Sequence, residues 1–164
     1  MKKIELLNDG KNTIYLKIRT LDDLSEELKN DILTNTDKPY IAFNFGVIVN
    51  MKSWVGFDTI FSGEDGFVLC GEECKNLENS LRMLLDSYNE TELSFNDCLG
   101  DTDARVDIKC EKNKVVVSGS LGASYTWESG INAPVFKFSI DATSEFLSKF
   151  YNALRDNMLH WCEI

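Results

Sequence analysis

Strict alternation of apolar and charged residues over eight positions is the strongest constraint on how this chain folds. From Ala104 to Glu111 every second side chain is apolar, and those between are charged. Because successive side chains of a strand point to opposite faces of its sheet, this pattern predicts a strand with one face in a core and the other in water. A β-rich run from Lys114 to Leu121 follows after Lys112 and Asn113, which predicts an antiparallel hairpin.

Six further segments have the composition of strands, and the last of them also alternates. A short turn signal, Gly63 to Gly66, predicts a break between the third and fourth of these segments. The six predicted strands are Thr13–Ile18, Tyr40–Met51, Val55–Phe61, Phe67–Leu69, Glu92–Asn96 and Val135–Ile140.

Two segments carry apolar residues at the spacing of an amphipathic helix. One apolar stripe runs from Leu77 to Tyr88 and the other from Phe146 to Met158, which predicts helices over about residues 72–88 and 142–158. Asp141 is the predicted N-cap of the second helix. A weaker pattern from Leu21 to Leu33 predicts a short helix or a helical loop.

The order of these elements predicts an α+β fold, a mostly antiparallel β-sheet or sandwich with two main helices packed against it. The strands follow one another as hairpins and lack the alternating strand–helix rhythm of a parallel sheet. A length of 164 residues fits one domain, so we expect residues 1–164 to form a single domain.

Charge near the amino terminus and the use of cysteine predict a cytoplasmic protein. Lys2, Lys3 and Glu5 stand where a signal peptide needs its apolar stretch. The longest run poor in charge, Tyr40–Met51, is too short to span a bilayer. The five cysteines are odd in number and show no regular framework, so we interpret them as reduced thiols.

No cluster of residues predicts a catalytic or metal site. His160 is the single histidine, so a histidine-based triad has to be built on that one side chain. Cys70 and Cys74 are four positions apart, whereas structural zinc needs four ligands, usually in two tight pairs. The acidic run 97–103 lacks the ligand spacing and closing glutamate of an EF-hand. We therefore predict no catalytic residue, no metal and no cofactor.

Almost all of the net negative charge lies in the middle third of the chain. The net charge is -10, and residues 64–111 hold 13 acidic against 4 basic residues. Residues 1–63 and 112–164 are nearly neutral by comparison. A localised acidic field attracts basic partners and repels nucleic acid and anionic membranes. A solvated face that only increases solubility is the simpler interpretation of the same charge.

The carboxy-terminal block carries a resemblance to a known family. Val135–Asp141 has the pattern of a strand that leads into a helix with Phe146, Phe150 and Leu154. This ending resembles that of WapI-type immunity proteins and related small immunity families of bacterial polymorphic toxin systems.

The wider arrangement is similar too, over about residues 67–158. An amphipathic helix, Leu77 to Tyr88, is followed by alternating strands, a hairpin strand that contains glycine, and a final strand leading into the last helix. The resemblance implies a cytoplasmic protein that binds and neutralises a cognate toxin. Many such toxins are nucleases, whose active sites must be basic to hold a phosphate backbone.

These observations lead to the hypothesis of a non-catalytic protein whose acidic surface binds a basic toxin domain, with neither nucleic acid nor membrane as partner. The loop after the hairpin contains Tyr125 and Trp127, and their two rings are added to the candidate interface. Its candidate residues are Glu64, Asp65, Glu72, Glu73, Glu92, Asp101, Asp103, Asp107, Tyr125 and Trp127.

Two alternatives remain open. Trp54, Tyr125 and Trp127 could converge around a small molecule or a carbohydrate, which would make the chain a ligand-binding domain. The apolar tail near Trp161 could instead anchor the chain as an accessory subunit of a larger complex.

Overall fold

The computed structural model of the protein describes residues 1–34, 39–52, 58–86, 91–96, 104–111, 114–122 and 135–158. A single 3₁₀ turn, Leu21–Asp23, precedes the first helix. The strands are β1 Lys2–Asn8, β2 Asn12–Ile18, β3 Tyr40–Lys52, β4 Asp58–Cys70, β5 Thr91–Asn96, β6 Arg105–Glu111, β7 Lys114–Gly122 and β8 Val135–Ala142. The helices are α1 Glu26–Thr34, α2 Glu72–Asp86 and α3 Ser144–Asn157.

The strands form two antiparallel sheets, each of four strands in chain order. The first sheet has the order β1-β2-β3-β4 and the second has the order β5-β6-β7-β8. The longest ladder joins β3 to β4, from Tyr40 opposite Cys70 to Lys52 opposite Asp58. This arrangement confirms the predicted α+β fold with mostly antiparallel sheet.

One apolar cluster fills the space between the two sheets and the last two helices. At its centre the ring of Phe95, on β5, lies within 6.0 Å of the rings of Phe43, Phe45 and Phe67 in the first sheet. Phe150, on α3, packs on Phe95 at 5.8 Å. Side chains from both sheets and from α3 therefore meet at the same point of the core.

The two predicted helices are present and bury the predicted stripes. On α2 the buried residues include Leu77, Leu81 and Leu84. α3 buries Phe146, Leu147, Phe150, Ala153 and Leu154. Gly71 links β4 to α2 at a φ of 54°, in the left-handed region that glycine adopts most easily. No helix in the described parts of the chain combines the length and apolar character needed to cross a bilayer.

Three details differ from the predictions. The signal at Gly63–Gly66 is not a turn, because β4 continues through it as one strand from Asp58 to Cys70. Asp141 is not a helix cap, because it lies within β8 and Thr143 is the N-cap of α3. The strand β1 was not predicted, since a bulge between Glu5 and Leu7 interrupts its alternation.

Candidate functional site

The structure distributes the predicted interface residues over several surfaces. Glu72 and Glu73 form the exposed first turn of α2. Glu92 is exposed on β5, Glu64 lies on β4 in the first sheet, and Asp107 lies on β6 in the second sheet. Asp65 lies where β4 approaches β7. Asp101, Asp103, Tyr125 and Trp127 lie outside the described residues, as do Trp54 and Trp161.

Three of these carboxylates are already bound within the chain. Asp107 accepts hydrogen bonds from Ser94 Oγ at 2.5 Å and Arg105 Nε at 2.8 Å. Asp65 accepts the backbone N–H of Gly122 at 3.0 Å and so joins β4 to β7. The third, Glu64, belongs to the polar cluster described below. An internal cation or hydrogen-bond donor reduces the attraction that a carboxylate exerts on an outside partner.

The exposed face of α2 keeps its carboxylates unpaired. Beside Glu92 of β5, it carries the exposed Glu72, Glu73 and Asp86 and the half-buried Glu78. None of these five makes an ion pair with a described residue. The neighbouring cations are Lys75 and Arg82 on α2 and Lys109, which lies opposite Glu92 on β6. Five carboxylates against three cations leave a net negative surface. We call α2 together with β5 the α2–β5 surface.

A groove runs along the α2–β5 surface. It has a volume of about 390 Å³, with Leu69, Leu77, Leu93 and Phe95 providing its apolar side chains. Its polar side chains are Glu73, Asn76, Ser80, Ser94 and Asn96. Among the described strands β5 pairs only with β6, so its other edge faces this groove. The surface thus combines apolar side chains, polar groups and excess negative charge.

A second group of polar side chains lies on the face of the first sheet that points away from the core. We call Tyr15, Lys17, Asn44 and Glu64 the Tyr15 cluster. Tyr15 Oη donates a hydrogen bond to Glu64 Oε2 at 2.5 Å, and Asn44 Nδ2 donates one to Glu64 Oε1 at 2.9 Å. Lys17 Nζ contacts the same carboxylate at 2.6 Å. Gly46 lies under the Tyr15 ring, where a Cβ would be 2.2 Å from Tyr15 Cζ.

The pKa values of the two acidic groups in the Tyr15 cluster shift in opposite directions. Burial raises the pKa of Glu64, but hydrogen bonds from Asn44, Lys17 and Tyr15 and the charge of Lys17 outweigh it, so the net pKa is lowered. Burial, with the hydrogen bond and charge of Glu64, raises the pKa of the Tyr15 phenol. Glu64 is therefore ionised at neutral pH and Tyr15 keeps its proton.

These pKa directions argue for a structural role of the cluster. A general acid or base works best with a pKa near the operating pH. The pKa values of Glu64 and Tyr15 both move away from neutrality. The oxygens of Glu64 are also occupied by three donors from β2 and β3. The sequence did not predict this cluster, although Asn44 interrupts an otherwise apolar run and was the available signal.

The stability of the fold should depend on the charge of Glu64 in acid. Because its folded pKa is lowered, the stabilisation is fully present above the unfolded pKa of about 4.5 and is lost as pH falls through the folded value. We expect the free energy of unfolding of wild type and Glu64→Gln, measured with urea at several pH values, to converge below pH 4.5. The control is Glu27→Gln, which removes an exposed carboxylate of α1. A constant difference down to the lowest pH would contradict this role of Glu64.

Two further observations bear on what the surfaces could hold. In the described part of the chain, no group of three or more histidine, cysteine, aspartate or glutamate side chains is arranged to hold a metal ion. Cys74 and Cys110 are buried and Cys70 is half-buried, whereas Cys98 and Cys162 lie outside the described residues. The chain matches no family model, no curated protein and no solved structure.

Proposed function

We propose that this chain is a non-catalytic, immunity-type protein that binds a basic toxin domain through the α2–β5 surface. The observation that supports the proposal is the difference between two sets of carboxylates. Glu64, Asp65 and Asp107 are bound within the chain, whereas Glu72, Glu73 and Glu92 make no ion pair with a described residue. The proposed interface is therefore narrower than the acidic middle third.

Unpaired carboxylates on one surface have a specific physical use. Their field extends into water for about 8–10 Å at physiological salt, which orients an approaching cationic protein before contact. Such steering raises association rates by roughly 10–1,000-fold at low salt. The positive end of the helix dipole also favours negative charge at the first turn of α2, where Glu72 and Glu73 lie.

The groove supplies the second part of the proposed interface. Stable protein interfaces have an apolar centre surrounded by a polar rim. Leu77, Leu93 and Phe95 are 3–6% exposed and form only the apolar floor of the groove, while Ser94 and Asn96 would provide a hydrogen-bonding rim. The β5 edge next to the groove also offers backbone groups to an extended segment of the partner, which is a common mode of peptide recognition.

Charge reversal on α2 tests the proposal with a matched control. The partner is first captured at low salt from the cells that contain this protein, purified, and tested for toxicity when expressed alone. We expect the double variant Glu72→Lys/Glu73→Lys to lower the association rate with it by about tenfold or more at low salt. Its host should also lose protection against the toxin.

The control is Glu26→Lys/Glu27→Lys, because these residues form the equivalent acidic first turn of α1. It changes the net charge equally but acts on another surface, so we expect a much smaller loss of rate. Raising the salt concentration should slow the wild type and largely remove its advantage over the α2 variant. Equal losses in both variants, or a wild-type rate independent of salt, would contradict the proposed interface.

A further inference from the structure

A second groove, larger than the first, lies on another part of the molecule. It has a volume of about 760 Å³ and runs between β8 and the far end of the β3–β4 hairpin. Met51, Phe61 and Val135 line it and are 52%, 46% and 49% exposed. These are large fractions for apolar side chains that lie together on one surface, and such patches commonly mark interaction sites.

The wall of this groove formed by β8 is an unpaired strand edge. β8 pairs with β7 over its whole length, from Val135 opposite Gly122 to Ala142 opposite Val115. On its other side it pairs with no described strand. An open edge presents a row of N–H and C=O groups that can pair with another chain.

The outward face of β8 is complementary to itself. Lys137, Ser139 and Asp141 are exposed at alternate positions of this strand. If a second β8 pairs antiparallel about a two-fold axis at Ser139, Lys137 of each copy lies opposite Asp141 of the other. Residues directly opposite on an antiparallel pair share a face and have close Cβ atoms. The two-fold therefore creates two opposite-charge pairs and places Ser139 opposite its own copy.

Both charges are available for this pairing. Neither Lys137 nor Asp141 makes an ion pair with a described residue, and their cross-strand neighbours on β7 are the uncharged Ser120 and Val116. On the opposite face of β8 the same register places Phe138 of one copy opposite Ile140 of the other. The incoming strand would lie in the groove and cover Met51 and Phe61.

We propose that the occupant of this groove is a second copy of the chain, and that two copies pair through β8 about Ser139 into one continuous eight-stranded sheet. A two-fold interface must be complementary to itself, which the Lys137–Asp141 arrangement satisfies. The β8 edge and the α2–β5 surface use different residues, so a dimer of this kind leaves the proposed toxin interface free on each copy.

Charge exchange tests the pairing and its register together. Sedimentation equilibrium of the purified protein should give a dimer of the 18.6 kDa chain. K137D puts a carboxylate against Asp141, and D141K puts an ammonium group against Lys137. We expect each to raise the dimer dissociation constant by about tenfold or more, because each creates two like-charge pairs. The double variant K137D/D141K should restore the wild-type value. The control K2E reverses an exposed lysine on β1, an edge strand of the other sheet, and should have little effect.

A cysteine at the two-fold axis gives an independent measurement. S139C should form a reducible disulfide-linked dimer on mild oxidation, because the two cysteines face each other. K137C should not, because the register separates its two copies along the strands.

A wild type that stays monomeric at all concentrations overturns the proposal. A dimer that responds equally to K137D and K2E, or that cross-links as well through K137C as through S139C, overturns the β8 register. Failure of the toxin interface would appear only in the α2 variants.

Discussion

Replacing Phe95 by alanine should lower the free energy of unfolding by about 3–5 kcal/mol, the largest effect we expect from one side chain. Phe95 is 6% exposed, and its ring lies 5.1 Å from Phe67 and 5.8 Å from Phe150. It thereby joins β5 of the second sheet to β4 of the first and to α3. Removing the ring loses the free energy of burying it. It also leaves a cavity that the two sheets and the helix around it cannot fill by moving inward.

Urea unfolding of wild type and variant, followed by circular dichroism, measures this loss. Phe61→Ala is the control, because it removes the same ring from a side chain that is 46% exposed on β4. We expect it to lose about 1 kcal/mol or less. Similar losses in the two variants would mean that Phe95 does not occupy the centre of the core.

The parts of the fold that could be predicted from sequence are those in which a local pattern and the tertiary contacts agree. The alternation from Ala104 to Glu111 predicted β6, whose residues Val106, Ile108 and Cys110 are buried. The stripe from Leu77 predicted the buried face of α2 in the same way. A half-buried element repeats with its own period, so its sequence reports both its type and its inner face.

β4 shows why the rest could not be predicted. Glycines at both ends of Gly63–Gly66 are typical of a turn, yet here one is required by packing. A Cβ on Gly63 would lie 2.8 Å from Phe136 Cβ, on a strand more than seventy positions later in the chain. Glu64 is held by Tyr15 and Lys17 of β2. Such long-range contacts override local propensity and leave no periodic signal.

The candidate site divides in the same manner. Composition located the acidic field in residues 64–111, but it could not show which carboxylates have internal partners. Whether a carboxylate has an internal partner depends on the register in which the strands pair. Ser94 bonds Asp107 because β5 and β6 place them opposite each other, and Lys17 reaches Glu64 across β3. Only with those pairings known does the proposed interface narrow to the α2–β5 surface.

Among glycine-to-alanine substitutions in the strands of the second sheet, Gly119→Ala should be the most destabilising. A Cβ at this position of β7 would lie 2.1 Å from the carbonyl oxygen of Arg105 and 3.1 Å from Val106 Cα. Both atoms belong to the backbone of β6, so no side-chain rotation relieves the overlap. β7 must move away from β6, which weakens the ladder between them. We expect a loss of about 1–3 kcal/mol in the free energy of unfolding.

Gly66→Ala gives the comparison, because a Cβ there meets only side-chain ends, Arg19 Nη1 at 3.4 Å and Asn44 Oδ1 at 3.5 Å. Replacing a strand glycine reduces the entropy of the unfolded chain, so this variant should be neutral or gain up to about 1 kcal/mol. The two substitutions add the same methyl group to strands, but only Gly119→Ala should lower the free energy of unfolding. Urea unfolding distinguishes them. A Gly119→Ala variant as stable as wild type would require β6 and β7 to pack further apart than the structure places them.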